Sequence, residues 1–250
     1  IPCAPTEAAA MFDLVVGASG IYAGSWLEGA GAVYAENVAL RWIADLAGLP
    51  PQTGGVFVPG GTVGNLSALV TARSAARARH TASGSTRPRP SKVAAQVEAH
   101  SSIRTACQVM DAELVGVSSD EHQRLSGDNL RAVLEAEGPE TFFAVVGTAG
   151  TTNFGIVDDL ESVARVCADL GIWFHVDGAY GGAGLTAPTV RPLYAGIEHA
   201  DTFIVDPHTW LFAPLDFCPL LYRQPALART AHTQQAPDTL VPPHRTASHP

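Results

Sequence analysis

The sequence is poor in lysine. Lys92 is the only lysine among 250 residues, and the formal net charge is −9 at pH 7. Nucleic acids and anionic membranes are recognised by clustered positive charge, so we expect neither as a partner. Five arginines do lie between residues 73 and 89. We interpret that stretch as a solvated helix end and loop rather than a phosphate-binding patch.

Cysteine is also scarce, and long apolar runs are missing. Cys3, Cys107, Cys167 and Cys218 form no Cys-x-x-Cys pair, which argues against a zinc knuckle or a dithiol redox motif. We therefore expect buried free thiols in a cytoplasmic protein. No apolar run is long enough to cross a bilayer, and the amino end lacks the charged-then-apolar order of a signal peptide.

What the sequence does contain is a regular alternation of short apolar runs with helix-like segments, from Val56 to Val205. Alternation of this kind predicts an α/β fold, with a mostly parallel central sheet and helices on both faces. We divide the chain into a weakly patterned segment at residues 1–35, one large domain at 36–223 and a disordered tail at 224–250.

Local signals predict several element boundaries. Apolar spacing typical of a helix begins at Glu36, and a strand is expected at residues 92–99. Asp128 is expected to cap one helix. Asp158, with Glu161 three residues later, has the capping-box arrangement and is expected to begin another.

Two apolar runs end in polar residues that can carry chemistry. His175 and Asp177 close the first run, and Asp206 and His208 follow the second. Ligands of parallel sheets bind beyond the carboxyl ends of the strands, so these residues are candidates for a site. One alternative is a metal-dependent hydrolase with these four residues as ligands. That alternative leaves the other motifs of the chain unexplained.

Two further motifs are each weak signals. Gly61 and Thr62 lie in a glycine turn between a strand and a helix, where free backbone N–H groups favour an anion such as phosphate. Most such turns, however, serve only to change the chain direction. His100 follows a predicted strand, and a lone histidine there is more often structural than functional.

Together and in order, these motifs resemble the group II decarboxylases that depend on pyridoxal phosphate (PLP), the family of aromatic-amino-acid, glutamate and histidine decarboxylases. The resemblance spans roughly residues 36–223 and is far more specific than any single motif. It rests on Gly-Gly-Thr-x-x-Asn, Ala-His-Ser-Ser, a Gly-Thr-Thr-like turn, His-Val-Asp-x-Ala-Tyr-Gly-Gly and Asp-Pro-His-x-Trp.

The resemblance implies the large domain of a PLP fold type I protein and a role for each matching residue. Gly61 and Thr62 would bind the phosphate, and His100 would stack on the ring. Asp177 would pair with the ring nitrogen, while Thr151 and Ala179 would lie close to the ring. His208 would precede the lysine that binds the cofactor covalently.

The sequence departs from the family at that lysine, because position 209 is threonine. A hydroxyl cannot form the covalent link that an amine forms with the cofactor aldehyde. Lys92 is no substitute, since eight residues of extended strand place it roughly 26 Å from His100. We therefore expect PLP to be held without a covalent bond.

Three functional expectations follow from the resemblance. The first is an amino-acid decarboxylase by descent, acting on a small amino acid. The alternative is a non-catalytic PLP-binding protein or partner subunit, which the threonine at position 209 favours.

Family members are longer at both ends, so the tail is also interpreted as the remnant of a carboxy-terminal domain. Since family sites lie at a dimer interface, a homodimer or another self-association is expected.

Overall fold

The computed structural model describes residues 2–24, 26–87, 89–215 and 217–233. The helices are α1 Glu7–Ser19, α2 Trp26–Leu46, α3 Gly60–Ala82, α4 Ser101–Val109, α5 Gly127–Glu137, α6 Leu160–Leu170, α7 Pro207–Trp210 and α8 Pro225–His232. The strands are β1 Gly54–Val58, β2 Lys92–Gln96, β3 Glu113–Val117, β4 Phe142–Thr148, β5 Trp173–Gly178, β6 Thr202–Val205 and β7 Cys218–Tyr222. Short 3-10 helices occupy Pro139–Thr141, Gly182–Thr186, Arg191–Tyr194 and Ile197–His199.

The strands form one seven-stranded sheet in the order β1-β7-β6-β5-β4-β2-β3. Five adjacent strands, β6, β5, β4, β2 and β3, are mutually parallel. β7 runs antiparallel to both of its neighbours, β1 and β6. Every residue of β4 is buried, as expected for a strand covered on both faces. The predicted α/β class with a mostly parallel sheet is confirmed.

Helices cover both faces of this sheet. On one face, Leu40 of α2, Leu130 of α5 and Val163 of α6 belong to a cluster that includes Phe174 of β5. On the other face, α3 and α4 pack against β2 and β4, with Phe143 fully buried between them. In the described residues, the longer helices are too polar to cross a membrane.

The two ends of the described chain are more ordered than predicted. α1 lies within the weakly patterned segment, and α2 begins at Trp26 rather than at Glu36. The expectation of a disordered tail is wrong for residues 225–232, because α8 is a helix there and its Leu227 packs against the core. The remainder of the predicted tail, residues 234–250, lies outside the described residues.

Two predicted helix caps are also wrong. Ser126, rather than Asp128, caps α5 by accepting from the Asn129 backbone N–H. Asp159 caps α6. Asp158 turns inward. Its Oδ1 accepts from the Leu125 backbone N–H and its Oδ2 from the Thr148 backbone N–H, each at 2.7 Å. Burial raises the pKa of this carboxyl to about 6.

The arginine-rich stretch is a helix end and loop, as predicted: Arg77, Arg79, Arg87 and Arg89 are exposed, and Arg73 is partly buried. Arg73 donates to the carbonyl oxygen of Met110, which ends α4, and Arg79 donates to that of Gly171, which ends α6. Positive charge is stabilising at a helix carboxyl end because the helix dipole is negative there. At least two of these arginines therefore hold helix ends in place.

Candidate functional site

A cavity of about 930 Å³ opens at the carboxyl ends of the central parallel strands. Its wall includes residues from β5, from the amino ends of α3 and α4, and from the segment between β4 and α6. The structure therefore brings together motifs that are far apart in the sequence. Of the eight positions that the resemblance assigns to the cofactor site, seven line this cavity: Gly61, Thr62, His100, Thr151, Asp177, Ala179 and Thr209. His208 does not line it.

Asp177 is held in a fixed orientation at the end of β5. Its Oδ2 accepts from the Asn65 side-chain amide at 2.8 Å, and its Oδ1 accepts from the Ala179 backbone N–H at 3.1 Å. The residue is only 5% exposed, yet it lines the cavity. Two donors fix the carboxylate plane, so a carboxylate oriented in advance faces any ligand that enters.

Asn65 is the residue that the sequence interpretation undervalued. Its amide nitrogen donates at 2.8 Å both to Asp177 and to the Ser102 hydroxyl, and its oxygen lies 2.8 Å from His175 Nε2. Asn65 is the last residue of the Gly-Gly-Thr-x-x-Asn motif, but the sequence did not reveal its contact with a residue 112 positions away. The amide makes full use of both its hydrogens.

His175 extends this network away from the cavity. Its Nδ1 lies 2.9 Å from the Thr202 hydroxyl, which also accepts from the Trp173 indole N–H at 2.9 Å. Burial lowers the pKa of His175 to about 4, so the ring is neutral at pH 7. The network assigns the ring proton to Nε2, which donates to Asn65, while Nδ1 accepts from Thr202.

The metal-hydrolase alternative receives no support from this geometry. Both ring nitrogens of His175 are already hydrogen-bonded, so neither has a lone pair free for a metal. In the part of the chain that the structure describes, no three residues among His, Cys, Asp and Glu are grouped to hold a metal ion.

We expect His175 to make folding sensitive to acid. Between pH 6.5 and about 4 the unfolded chain binds a proton at His175 that the folded chain does not, so the free energy of unfolding decreases as the pH falls. The full difference amounts to about 3 kcal/mol. Urea unfolding at pH 7 and pH 4.5, compared with His175→Gln, isolates this residue. Equal pH dependence in the two proteins would contradict the assignment.

His100 combines a structural and a cavity-facing position. It caps α4, because its Nδ1 accepts from the Ser102 backbone N–H at 3.2 Å, and it lies 2.9 Å from the Ser102 hydroxyl. It also lines the cavity. The structural interpretation of this histidine is therefore correct and does not compete with a role at the site.

The glycine turn is shaped for close approach. A Cβ on Gly61 would lie 3.0 Å from the Ala179 Cβ and 3.3 Å from Asp206 Oδ2, so a larger residue would crowd this corner. Gly60 has a φ of 77°, which favours glycine. Gly61 and Thr62 belong to the first turn of α3, whose N–H groups have no partners within the helix and favour an anion.

Asp206 and His208 leave polar atoms without partners. Asp206 Oδ1 and His208 Nδ1 are buried and make no hydrogen bond within the described residues. Asp206 Oδ2 lies 3.6 Å from His208 Nε2, and burial raises the pKa of the Asp206 carboxyl. Buried polar groups without partners are costly, and Asp206 is one of the residues that line the cavity.

Thr209 and Lys92 occupy opposite ends of the fold. The Thr209 hydroxyl is buried in the cavity wall and donates to the Asp206 carbonyl oxygen at 2.6 Å. Lys92 is the first residue of β2, which ends at Gln96 and is shorter than predicted. Its ammonium lies 2.6 Å from a carboxylate oxygen of Glu137. The cavity lies beyond the other end of that strand, so Lys92 does not line it.

Residues 10–236 match the family described as the pyridoxal-dependent decarboxylase conserved domain. The chain is 31% identical over 224 residues to an aromatic-L-amino-acid decarboxylase of Bacillus atrophaeus, covering 87% of this chain and 45% of the relative. It is 33% identical over 219 residues to an L-2,4-diaminobutyrate decarboxylase of Rhizobium meliloti, covering 86% and 43%. The chain spans about half the length of the curated relatives it matches.

Solved structures of similar proteins share the fold. The structure of Oryza sativa TDC with PLP and tryptamine superposes with a TM-score of 0.86 at 27% identity, over 96% of this chain and 51% of that one. Mouse CSAD superposes with a TM-score of 0.82 at 31% identity, over 91% and 49%.

Proposed function

Because the chain belongs to the pyridoxal-dependent decarboxylase family, we propose that its cavity binds pyridoxal 5′-phosphate without a covalent bond, as part of an amino-acid decarboxylase. The observation that carries this proposal is the Asp177 carboxylate, buried, fixed by two donors and facing the cavity. The relatives named above are decarboxylases of aromatic amino acids and of 2,4-diaminobutyrate. We propose a small amino acid as the substrate class.

The residues of the cavity fit the parts of this cofactor other than its covalent link. When bound, pyridoxal phosphate supplies an electron-withdrawing ring that stabilises the negative charge left as carbon dioxide departs. Asp177 would accept a hydrogen bond from the ring nitrogen and hold its proton there. The backbone N–H groups of Gly61 and Thr62 would bind the phosphate, and the small side chain of Ala179 leaves room for a ring.

The remaining wall residues would orient the ligand and limit water. His100, fixed by its cap to α4, would cover one side of the ring, and Thr151 would border it on the segment after β4. The Thr209 hydroxyl can form a hydrogen bond but not a covalent link. That observation favours our second candidate function, a non-catalytic cofactor-binding protein or partner subunit.

Titration with PLP tests the proposal directly. We expect saturable binding with a spectral change that dialysis reverses, and no label in the cavity after borohydride reduction. Lys92→Arg is the matched control, because it removes the single side-chain amine while keeping a positive charge beside Glu137. An absence of binding in both proteins would reject the proposal, and a label on a cavity residue would reject the non-covalent mode.

We also propose that the chain forms a homodimer. α1 has no buried residue in the described chain, and large apolar side chains on α1, α2 and their connection face solvent. Apolar surface of this extent indicates an interface, and a second copy of the chain is the commonest partner. The exposed apolar residues are Met11, Phe12, Leu14, Val15, Val16, Ile21, Tyr22, Trp26, Leu27, Tyr34, Val38 and Trp42.

Analytical ultracentrifugation tests this self-association. We expect a dimer, and we expect the double substitution Phe12→Asp with Val16→Asp to weaken the dimer at least tenfold by placing charge on the α1 surface. Val109→Asp is the matched control, because Val109 is as exposed, at 69%, but lies on α4. A compact monomer before any substitution would refute the proposed dimer.

A cytoplasmic location completes the proposal. All four thiols are free, and Cys107, Cys167 and Cys218 are buried. Burial raises the pKa of Cys107 to about 11, which keeps it in the unreactive thiol form. Free thiols of this kind are typical of reducing compartments. Fractionation of the source cells would test the location, and recovery outside the cytoplasm would contradict it.

A further inference from the structure

The polar atoms around Thr209 are hydrogen-bond acceptors. The Thr209 hydroxyl already gives its proton to the Asp206 carbonyl oxygen at 2.6 Å, so towards a ligand it can act only as an acceptor. The Ala179 carbonyl oxygen lies 3.4 Å from the same hydroxyl oxygen. Asp206 lines the same cavity, and its Oδ1 is buried without a partner within the described residues. A ligand group at this point therefore needs to donate hydrogen bonds.

The charge of the cavity also favours a ligand group that donates hydrogen bonds. Among the lining residues, Glu98, Asp177 and Asp206 are acidic, His100 is the one histidine, and neither lysine nor arginine contributes in the described chain. A cation that enters such a cavity is attracted by these carboxylates, and partial burial reduces the screening by water. An added positive charge on the ligand is therefore favoured.

We propose that this cavity binds pyridoxamine 5′-phosphate, the amine form of the cofactor, in preference to the aldehyde form. This inference rests on the proposed function, because it concerns the same cavity and the same phosphopyridine. The two forms differ at one carbon, which carries a protonated aminomethyl group in the amine and a carbonyl in the aldehyde. The ammonium has three N–H donors, whereas the aldehyde oxygen only accepts.

The comparison isolates that one group. Ring and phosphate are common to both forms, so their contributions to binding cancel. A lysine at position 209 would favour the aldehyde, because only the aldehyde reacts with an amine. Thr209 removes that advantage and leaves acceptors in its place. We expect the amine form to bind about tenfold more tightly, the size of effect that one charge-assisted hydrogen bond gives.

Fluorescence titration can measure the preference. Trp210 packs edge-on against Tyr180 at 5.7 Å, and Tyr180 lines the cavity, so binding should change the tryptophan emission. The ligands are pyridoxamine 5′-phosphate, PLP and 4-deoxypyridoxine 5′-phosphate, which has an uncharged methyl group at the variable carbon. The protein is the full chain carrying Lys92→Arg, so that PLP cannot react with the side-chain amine. We expect the amine form to bind more tightly than both other ligands.

Two further variants test the role of position 209. Thr209→Val keeps the side-chain shape but removes the acceptor, and it should reduce the preference for the amine. Thr209→Lys should reverse the preference in favour of PLP. If the chain that keeps Thr209 bound PLP as tightly as pyridoxamine 5′-phosphate, or more tightly, the inference would be overturned while the proposed function would remain intact. Failure of all three ligands to bind would instead overturn the proposed function.

Discussion

Thr209→Lys is expected to change the yield of borohydride-fixed cofactor at position 209 from zero to nearly one per chain. Thr209 lines the cavity and directly follows His208, at the position where the resemblance places the cofactor lysine of the family. An amine introduced there would face a PLP molecule held by the glycine turn, and the short distance would make the reaction effectively intramolecular. Peptide mapping by mass spectrometry after reduction measures the site and the yield.

Two controls make this result specific. Lys92→Arg in the same chain removes the other side-chain amine. Thr152→Lys places a lysine elsewhere on the cavity wall, and it should be labelled far less if position 209 has the special geometry. A label that never appears at position 209 would show that Asp206, His208 and Trp210 have been matched to the wrong family residues.

Decarboxylation should not return with this substitution alone. Breaking the carboxylate bond requires the substrate to be oriented against the ring and the resulting carbanion to be protonated, which in many enzymes depends on closing segments. The relatives are about twice as long as this chain. We expect amine formation from aromatic or acidic amino acids only when Thr209→Lys is combined with the additional segments of a relative. Rapid turnover by the single variant would show that those segments are dispensable.

Asn65→Leu is expected to lower the free energy of unfolding by about 3 kcal/mol or more and to abolish PLP binding. The substitution would remove one buried hydrogen bond from each of Asp177, His175 and Ser102, and each loss costs about 1–3 kcal/mol. Asp177 would also lose the donor that fixes Oδ2. Urea unfolding and PLP titration measure the two effects.

Two comparisons separate stability from positioning. Asn129→Leu removes a solvent-exposed hydrogen bond from the side-chain amide to the Ser118 carbonyl oxygen. It should lower the free energy of unfolding by about 1 kcal/mol or less, without changing PLP affinity. Asn65→Asp keeps the side-chain volume but presents an oxygen to Asp177. The loss of binding free energy for PLP should therefore exceed the loss in the free energy of unfolding. If Asn65→Leu unfolds like Asn129→Leu, the proposed network does not hold the site.

The sequence was most informative where local chemistry and topology agree. Runs of apolar residues identified the central strands, and Asp177 and Asp206, which lie at the ends of two of them, line one cavity. The resemblance to the decarboxylases is confirmed by the family match over residues 10–236. The role of Asn65 could not be read from the sequence, because its contact with Asp177 exists only once α3 packs across the strand ends.

Helix boundaries were less predictable because neighbouring residues compete. Asp158 and Asp159 are equally good caps by composition, but buried N–H groups at Leu125 and Thr148 require the first of them. Gly29 and Gly31 disfavour a helix, and Gly29 indeed has non-helical angles within α2. α8 is stabilised by tertiary contacts such as that between His232 and Thr71, which composition does not reveal.

The position of β1 has a consequence for folding during synthesis. β1 pairs with β7 along its full length, so the first of the described strands finds its partner only when the last of them has been made. Contacts this distant in sequence slow folding, because a long loop must close before they can form. The glycine turn directly follows β1, and it should be seated only when β7 docks. Ribosome-bound chains that end before Cys218 should therefore leave the α3 amino end open to protease, while β2, β4 and β5 are already protected.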